Sequence, residues 1–595
     1  MSPGSPAHSL DLASRLRFVH LYNGALPNGA LPEDAFARPI CMVVAASRGG
    51  VPTVKAHCLP FAQIPHTTRL FADFLADSPG LRPFYPRSIR FDEWIKDEAA
   101  TIRYDASRRE QVAAILERQN RAFGSSAKTL ENLERLRKGA AAVVTGQQVS
   151  LFGGPAFCLY KALSSVKLAT EATAAGVDTV PVFWLATYDH DLAEVNHVSL
   201  LGPENALETL TTSSHGVTGA PVSAVCLGEE ILPLLDQAAA LVGETEAMAQ
   251  VRDSYRRGET LGTAFARLYA KWFAEWGVIL LDASDAELDR IAAPIYAAAV
   301  EKAEELSTEL ITRGHALETA GYHQQVKVTN SSVLLFTMQE GARAAIHRRP
   351  QNGGEELLIG SEGSAEKISR TALLDRIQSA PEQFSPSVLL RPIVEDYLLP
   401  TLAYVGGAAE VAYFAQAGVV YQSLLDRVTP VLPRFSATLV EPKIERLLER
   451  HSVSLPEVFG GFEPLRQKLA AHSLPGDLQA AFDAASTSLN TNLAEIKQKL
   501  SALDRTLVDA ADTAGSKMHH QFEKLQAQAA RAEAQKSALI ARHAESLSNA
   551  LYPFKALQER SIGGLCFLSR YGTDLLHQLY EVIHTGCHDH QIVEL

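Results

Sequence analysis

Blocks of hydrophobic and polar positions between residues 140 and 200 predict a strand, a turn, a helix and a second strand. Small and β-branched residues fill 140–144 and stop at Thr145-Gly146. A Gly153-Gly154-Pro155 turn follows, then an amphipathic helical pattern to about residue 175. An apolar run at 180–186 then ends in a polar cluster. Because parallel α/β sheets bind ligands at the carboxyl ends of their strands, we expect this segment to form the floor of a ligand site.

Similar patterns predict further elements along the chain. Two amphipathic helices are predicted over 107–138, with a break at Gly124-Ser125, and others over 231–242 and 261–275. A buried strand is predicted over 277–285 and a small antiparallel insertion over 322–358. A pattern typical of buried strands and helices returns over 385–416, around a Gly406-Gly407 turn. The fold class that these elements indicate is α/β with a parallel-sheet core.

The last third of the chain carries a heptad pattern. Its apolar positions follow a 4-3-4-3-4 spacing at Leu489, Leu493, Ile496, Leu500, Leu503 and Leu507. The pattern resumes at Met518 after one extra residue, which indicates a local phase slip. We therefore expect a long antiparallel helical arm over about 476–547. Its apolar stripe needs a partner helix, in the same chain or in a second subunit, and we expect a coiled-coil homodimer.

Composition narrows the class of protein. A net charge of −13 over 595 residues argues against a nucleic-acid partner, and the apolar runs are too short for a membrane span of roughly 20 residues. The six cysteines form no CxxC pair, so we expect buried single thiols in a reducing compartment. Cys158 lies close to the Gly153-Gly154 turn, where a packed helix residue is favoured over a nucleophile.

Polar residues and glycines around the first turn are candidates for substrate binding. These are Thr145, Gly146, Gln147, Gln148, Gly153, Gly154, Tyr160 and Lys161. The residues at 145–148 either bind a ligand or form a polar loop bonded to its own backbone. The Gly-Gly-Pro turn opens a helix whose free N–H groups suit an anion, although it matches neither GxGxxG nor a P-loop. Lys161 either reaches an anion or is a solvated helix lysine.

The densest polar cluster follows the second strand. It consists of Asp189, His190, Asp191, Glu194, Asn196 and His197. No HExxH or similar spacing is present, so we favour hydrogen bonding to a polar substrate and acid–base work by a histidine over a metal site. The alternative is helix N-capping by Asp189 or Asp191.

Arg391, Asp396 and Arg434 are charged residues within apolar runs. An arginine there either binds a carboxylate or phosphate or belongs to an internal ion pair. The sequence contains no GxSxG motif and no dinucleotide fingerprint. Spacing alone therefore indicates an α/β enzyme that binds a nucleotide or another anion.

Several long motifs in order resemble the BshC family, the cysteine ligase assigned to bacillithiol biosynthesis. They are TGQQVSLFGGPAFCLYKA, PVFWLATYDHDLAEVNH, LLDASD, FSPSVLLRPIVEDYLLPTLAYVGGAAEVAYFAQ, PVLPRFSATL and LQERSIGGLCFLSRYG. The resemblance runs from about Leu59 to the C-terminus. It implies a Rossmann-like core of the class I synthetase and nucleotidyltransferase type, connecting-peptide insertions and a coiled-coil homodimer.

The resemblance also implies a reaction. A cytoplasmic enzyme would join L-cysteine to glucosaminyl malate, with ATP as the expected co-substrate that activates the cysteine carboxylate by adenylation and with no metal. The HIGH and KMSKS signatures of true synthetases are absent from the sequence. The rival hypotheses are a nucleotide-binding scaffold of the same pathway and a relative of synthetases that acts on tRNA, which the negative charge disfavours.

Residue roles follow from the same resemblance. The Gly153-Gly154 turn would hold a phosphate or carboxylate, and Arg391 or Arg434 would hold the malate carboxylates. Asp189 or His190 would orient the amine or take its proton, and His197 is a third catalytic candidate. Trp184, Asp191, Asn196 and Asp396 are further candidates for substrate binding.

The predicted domain organisation follows these motifs. Residues 1–56 are expected to be a disordered extension outside the family pattern, with Met42 as an alternative start. The remaining segments are 57–200 and 276–440 as two parts of the core, 201–275 as a connecting region, 441–550 as a helical region with the arm, and 551–595 as a segment packing on the core.

Overall fold

The structure is a computed structural model that describes residues 42–44, 54–213, 217–351, 354–360, 365–471, 476–536, 538–584 and 586–595. Its strands are β1 Met42–Val44, β2 Lys55–Leu59, β3 Ala141–Gln147, β4 Thr179–Leu185, β5 His197–Leu201, β6 Leu207–Thr211, β7 Ile279–Asp282, β8 Ser332–Gln339, β9 Ala342–Gln351, β10 Gly354–Ile359, β11 Glu366–Ile368, β12 Phe384–Pro386, β13 Thr401–Gly406, β14 Val431–Pro433, β15 Ala437–Val440 and β16 His590–Glu594.

The helices lie mostly between these strands and in the last third of the chain. They are α1 Arg69–Leu75, α2 Ile95–Thr101, α3 Ala106–Phe123, α4 Ala127–Lys138, α5 Phe157–Ala174, α6 Leu192–Val195, α7 Ile231–Val242, α8 Glu246–Ser254, α9 Leu261–Trp272, α10 Ala286–Glu301, α11 Ala303–Thr319, α12 Arg370–Ser379, α13 Arg391–Leu398, α14 Ala408–Leu425, α15 Pro442–His451, α16 Leu455–Val458, α17 Phe462–Ala471, α18 Gly476–Leu503, α19 Leu507–Lys536, α20 Ala538–Leu551, α21 Gln558–Ser561, α22 Gly564–Tyr571 and α23 Asp574–Val582. Within the described ranges, no helix combines the length and the apolar character needed to cross a bilayer.

A five-stranded parallel sheet with the order β14-β13-β3-β4-β7 confirms the predicted core. In β3 and β4 every residue except Gln147 is buried, as expected for strands covered on both faces. One face packs against α5 through Val143 and Val405 on the strands and Leu168 and Ala169 on the helix. The long apolar runs of the sequence are therefore the strands of this sheet.

The break predicted between two helices at Gly124-Ser125 is confirmed. Gly124 ends α3 with φ +77°, a left-handed conformation that a glycine adopts without steric cost. The side chain of Ser126 then accepts a hydrogen bond from the backbone N–H of Thr129 and caps α4.

Residues 332–386 contribute an antiparallel sheet with the order β11-β10-β9-β8-β12. The predicted insertion near 322–358 is thus antiparallel, and it is larger than expected because β11 and β12 extend it. Outside this insertion, β2 pairs antiparallel with β1 and β16. Residues 1–56 are predicted to be disordered. Of these, 42–44 and 54–56 lie within the described ranges and the others lie outside them.

The described chain divides into two compact units. Unit 1 takes its residues from Met1–Leu200, Thr209–Thr438 and Ile562–Leu595, and unit 2 from Leu201–Glu208 and Leu439–Ser561. Unit 1 contains the parallel sheet, and unit 2 contains the helical arm.

The arm is an antiparallel hairpin of α18 and α19. His519 Nε2 lies 2.8 Å from Asn490 Oδ1, and Lys497 forms an ion pair with Asp512 across the hairpin. The arm is antiparallel as predicted, but the heptad pattern does not run on from Leu503 to Leu507 within one helix. A turn separates the two helices, and Asp504 Oδ1 accepts a hydrogen bond from the Thr506 N–H there at 2.9 Å. One partner of the apolar stripe therefore belongs to the same chain.

The expectation of single buried thiols is wrong for Cys58 and Cys587. Cys58 and Cys587 are joined in a disulfide, because antiparallel pairing of β2 with β16 brings together residues 529 positions apart. Cys226 is exposed. Cys158 is fully buried in α5, and burial raises the pKa of its thiol to about 12, so the packed role is confirmed.

Candidate functional site

Most of the polar residues singled out from the sequence gather at the carboxyl edge of the parallel sheet. There β3 ends at Gln147, β4 at Leu185, β13 at Gly406 and β14 at Pro433. Because all these strands are parallel, their carboxyl ends share one edge, where such sheets bind ligands. The chain segments that follow the strands supply the side chains described below.

The loops after β3 and β4 meet at Gln148. Its Nε2 donates to Asp189 Oδ2 at 2.5 Å and to Glu194 Oε2 at 2.7 Å. The side chains of Asp189 and His190 are 30% and 43% exposed. The loops at 145–155 and 187–197 therefore form one site that is open to solvent.

The Asp189 carboxylate is held by its own loop. Its Oδ1 accepts hydrogen bonds from the backbone N–H groups of His190, at 2.7 Å, and Asp191, at 3.3 Å. His190 Nδ1 lies 3.6 Å from the same oxygen, and its ring centroid is 6.4 Å from that of Phe336 in the inserted sheet. This arrangement leaves an imidazole at the opening of the site beside a fixed carboxylate, which suits proton transfer.

Among the remaining polar residues of this loop, the side chain of His197 lies against the loop backbone. His197 Nδ1 lies 3.0 Å from the carbonyl oxygen of Ala193. The carbonyl oxygen of Asn196 accepts a hydrogen bond from the Thr212 N–H at 2.8 Å, and the Asp191 side chain is exposed. We therefore rank Asp189 and His190 above His197, Asn196 and Asp191 as residues that act on a ligand.

Lys161 is neither solvated nor aimed at open space. Its side chain is 2% exposed, and its Nζ lies 2.6 Å from the Gly146 carbonyl oxygen, 3.0 Å from Gln147 Oε1 and 2.5 Å from Glu410 Oε2. Burial lowers the pKa of Lys161, and Glu410 opposes that shift. Burial alone would raise the pKa of Glu410, but the Lys161 ammonium holds it below its usual range. The pair is a buried ion pair that fixes the end of β3.

Glu410 is a site residue that the sequence reasoning did not select. Its Oε2 accepts a hydrogen bond from the Gly407 N–H at 2.8 Å, and its Oε1 accepts one from the Tyr404 hydroxyl at 2.5 Å. A Cβ on Gly406 would lie 2.9 Å from the Glu410 Cβ, so the glycine permits this approach. The signal was present in the sequence as Gly407 followed three residues later by Glu410, the spacing of a capping residue.

Arg434 lies beside the start of α14. Its backbone N–H donates to Gly406 O at 2.9 Å, its Nη1 donates to Phe435 O at 2.7 Å, and its guanidinium lies 5.3 Å from the centroid of Phe157. A Cβ on Gly407 would be 3.4 Å from Arg434 Nε. The first N–H groups of a helix have no acceptor within the helix, so this corner combines a guanidinium with the positive end of α14.

Arg391 and Asp396 lie on the same helix but serve different places. Arg391 Nη1 lies 2.7 Å from Glu395 Oε2 in an internal ion pair, in which Glu395 is buried and Arg391 is half-buried. Asp396 lies 3.7 Å from Arg427, which also donates to Thr401 O at the first residue of β13. Asp396 is therefore at the amino end of that strand, opposite the candidate site.

The Gly153-Gly154 turn is a packed turn whose amides are already used. The Gly153 N–H donates to the Tyr255 hydroxyl at 3.1 Å, and the Gly154 N–H donates to Leu151 O at 3.0 Å. A Cβ on Gly153 would lie 2.6 Å from the Trp272 ring. This crowding leaves the turn no open face for an anion.

Thr145 and Tyr160 are also enclosed. The Thr145 hydroxyl donates to Val405 O at 2.9 Å, which ties β3 to β13. The Tyr160 ring packs 5.2 Å from the Phe435 ring. Both side chains position the strand ends around them.

Trp184 presents an unused hydrogen-bond donor near the edge of the sheet. It is 1% exposed, and its Nε1 has no partner among the described residues. A Cβ on neighbouring Gly146 would lie 3.3 Å from the Trp184 Cβ, so the glycine permits close packing of β3 against β4 here. A buried donor without a partner costs free energy.

A second buried group lies behind the Asp189 loop. Asp289 Oδ1 accepts hydrogen bonds from the hydroxyls of Tyr188 and Tyr296, the latter at 2.8 Å. Burial raises the pKa of Asp289 to about 7. Arg343 of the inserted sheet, whose Nε donates to Ser385 Oγ at 2.8 Å, lies within electrostatic reach of Asp189. In the described part of the chain, no three His, Cys, Asp or Glu side chains converge as metal ligands would.

The fold defines a Rossmann-like protein with a cluster of polar side chains at the carboxyl edge of its parallel sheet. Two family models together match nearly the whole described chain. They are the N-terminal Rossmann-like domain of bacillithiol biosynthesis BshC, over residues 54–435, and its C-terminal coiled-coil domain, over 437–595. The chain belongs to the BshC family.

Similar proteins bear the same family name. A "Putative cysteine ligase BshC" of Koribacter versatilis is 46% identical over 90% of this chain and 99% of its own length. Proteins with that name from Solibacter usitatus and Salinibacter ruber are 35% and 32% identical, over 90% and 91% of this chain and 99% of their own lengths. The predicted resemblance is confirmed.

Proposed function

We propose that this chain is a ligase that joins L-cysteine to glucosaminyl malate by an amide bond, the last step of bacillithiol biosynthesis. The observation that carries the proposal is the meeting of the two strand-end loops at Gln148, in a chain of the BshC family. The site brings a carboxylate and an exposed imidazole to the same edge of the sheet as Arg434. These groups match an amine that must lose a proton and a substrate that carries carboxylates.

The anionic part of the substrate is placed at Arg434 and the first turn of α14. Arg434 is close to Gly407, where the positive end of the helix lies. This corner replaces the Gly153-Gly154 turn as the anion site, because the amides of that turn are hydrogen-bonded within the protein. It also replaces Arg391, whose guanidinium is paired with Glu395.

His190 is the proposed base for the attacking amine. Its imidazole is at the opening of the site, and Asp189 lies close enough to stabilise the protonated ring. Gln148 holds the Asp189 carboxylate through its Oδ2 and leaves Oδ1 facing His190. The loop thus fixes the carboxylate while the imidazole stays accessible.

ATP is the proposed co-substrate, and it would supply the activation that a free carboxylate needs before it forms an amide. We propose that the reaction takes place in the cytoplasm, because the proposed ligase uses ATP and free cysteine.

The test is product formation by the purified full-length protein with ATP, L-cysteine and glucosaminyl malate, followed by mass spectrometry. His190→Ala and Arg434→Ala should each reduce the rate strongly. His315→Ala, an exposed histidine on α11, is the matched control and should leave the rate unchanged. Failure of the unaltered protein to form bacillithiol, or full activity of His190→Ala, would contradict the proposal.

The arm also supports assembly with a second copy of the chain. Ile496, Leu503 and Leu525 remain 50%, 78% and 54% exposed although α18 and α19 cover each other. Apolar side chains along such a hairpin favour a further helical partner. We propose a homodimer through this arm, which light scattering of the full chain would show as twice the chain mass.

A nucleotide-binding scaffold is the second candidate, and the exposed apolar positions of the arm favour it. A ligase needs catalytic residues in the site, whereas a scaffold needs only the arm that assembles the copies. Ile496→Lys with Leu525→Lys should separate the copies. A scaffold would lose bacillithiol formation in cells with that variant and keep it with His190→Ala, whereas the ligase would lose it with His190→Ala while the dimer persists.

A further inference from the structure

A cavity of about 220 Å³ lies between α1 and α2, in a segment that the proposed reaction does not use. The chain from Asp77 to Ile89 forms most of its wall, and Phe74 of α1 closes one side. This volume exceeds the roughly 30 Å³ that one water molecule occupies, so the cavity has room for a small organic molecule.

Two arginines give the cavity an excess of positive charge. Among the described residues, the guanidinium of Arg82 has no hydrogen-bond or ion-pair partner. Arg87 uses only its Nε, which lies 2.9 Å from Glu98 Oε2, so its two terminal nitrogens are unpaired among the described residues. Asp77 is the acidic side chain that faces them from the wall.

Arg87 is held in place from behind. Glu98 is 5% exposed at its side chain and also pairs with Arg427 at 2.9 Å. A guanidinium fixed through Nε presents its two terminal N–H groups in a rigid fork, the geometry that binds carboxylate and phosphate oxygens. The structure therefore orients Arg87 in advance and leaves Arg82 exposed at the rim.

Beside the arginines, Asp77 and two serines, Ser78 and Ser88, the wall contains apolar side chains. Leu81 and Ile89 are buried beside Phe74. Tyr85 contributes its ring, because its hydroxyl donates to Val411 O at 2.8 Å and is not free for a ligand. Such a wall complements a ligand with an apolar portion next to its charged group.

We propose that this cavity binds a small organic anion, with a phosphate or carboxylate group between Arg82 and Arg87 and an apolar portion against Phe74 and Tyr85. Arg434 does not line this cavity, and the proposal does not depend on the proposed ligase reaction. Because the Tyr85 hydroxyl donates to Val411 in the first turn of α14, a ligand here would contact a side chain that is bonded to the helix carrying Glu410.

Isothermal titration calorimetry of the full-length protein tests the proposal, with phenylphosphonate and inorganic phosphate as probes. We expect saturable binding of phenylphosphonate that is tighter than that of phosphate, because the ring adds apolar contact. Arg82→Ala should weaken binding about tenfold, the effect of one hydrogen bond to a charged group. Arg82 is exposed, so the variant should keep its fold, which circular dichroism checks.

Two control variants locate the binding. Arg90→Ala removes an exposed arginine eight positions away that pairs with Glu93 outside the cavity, and it should bind as the unaltered protein does. Arg434→Ala should also bind normally, because that residue belongs to the other site. Absence of saturable phenylphosphonate binding, equal losses in Arg82→Ala and Arg90→Ala, or loss in Arg434→Ala alone would each overturn the proposal.

Discussion

Replacing Glu410 by Gln tests the buried ion pair that fixes the end of β3. The change keeps the size of the side chain and an oxygen that can accept the Gly407 N–H, but it leaves the Lys161 ammonium without its counter-charge. Lys161 is 2% exposed and keeps only two neutral acceptors, Gly146 O and Gln147 Oε1. Breaking a buried pair at one partner costs about 3–5 kcal/mol of the free energy of unfolding, because an uncompensated charge remains.

The pH dependence of this loss has a definite sign. Burial already lowers the pKa of Lys161, and removal of Glu410 takes away the group that opposes that shift. Between the lowered pKa of the folded state and about 10.4, the value of an unfolded lysine, the unfolded chain binds more protons than the folded one. Stability of Glu410→Gln should therefore rise with pH relative to the unaltered protein.

Urea unfolding followed by circular dichroism, at about pH 7 and about pH 9, measures both effects. Glu131→Gln on α4 is the matched control, since it breaks an exposed pair with Lys128 and should change stability little. Lys161→Met combined with Glu410→Gln removes both charges and should be more stable than Glu410→Gln alone. A Glu410→Gln protein as stable as the unaltered one at neutral pH, or one whose deficit grows with pH, would refute the reasoning.

Three further predictions concern packing, thiol access and a buried acid. Gly153→Ala should destabilise the protein by about 1–3 kcal/mol more than Gly176→Ala in urea unfolding, because both glycines have positive φ but only at Gly153 would the new Cβ overlap a neighbouring ring. N-ethylmaleimide, with peptide mapping of the products, should label exposed Cys226 much faster than buried Cys158. Equal labelling rates would show that Cys158 is not enclosed. Asp289→Asn should gain stability relative to the unaltered protein as pH rises from about 4 to about 7, because the folded carboxyl keeps its proton over that range and the unfolded one does not; parallel pH profiles would contradict this.

The main site loops could be predicted from the sequence because each follows an apolar run. The runs before Thr145 and Asp189 are β3 and β4, and adjacent parallel strands bring their ends together. Glu410 was missed although the Gly407 spacing indicated it, since a capping residue looks the same whether or not it also pairs with a lysine. Asp396, a predicted candidate for substrate binding, lies at the amino end of β13, and sequence does not tell which end of a strand a helix residue approaches.

By itself the sequence determined the α/β class, the order of the strands along the chain and the helical arm. The spacing of apolar residues indicates which face of a strand or helix is buried, and residues close together in the sequence are enough to show that spacing. Only the tertiary structure decided that Lys161 pairs with Glu410, that Cys58 meets Cys587 and that the heptad stripe turns back at Asp504. These contacts depend on which distant elements pack side by side. The sequence around a charged, thiol or heptad residue does not identify the distant residue that the fold brings next to it.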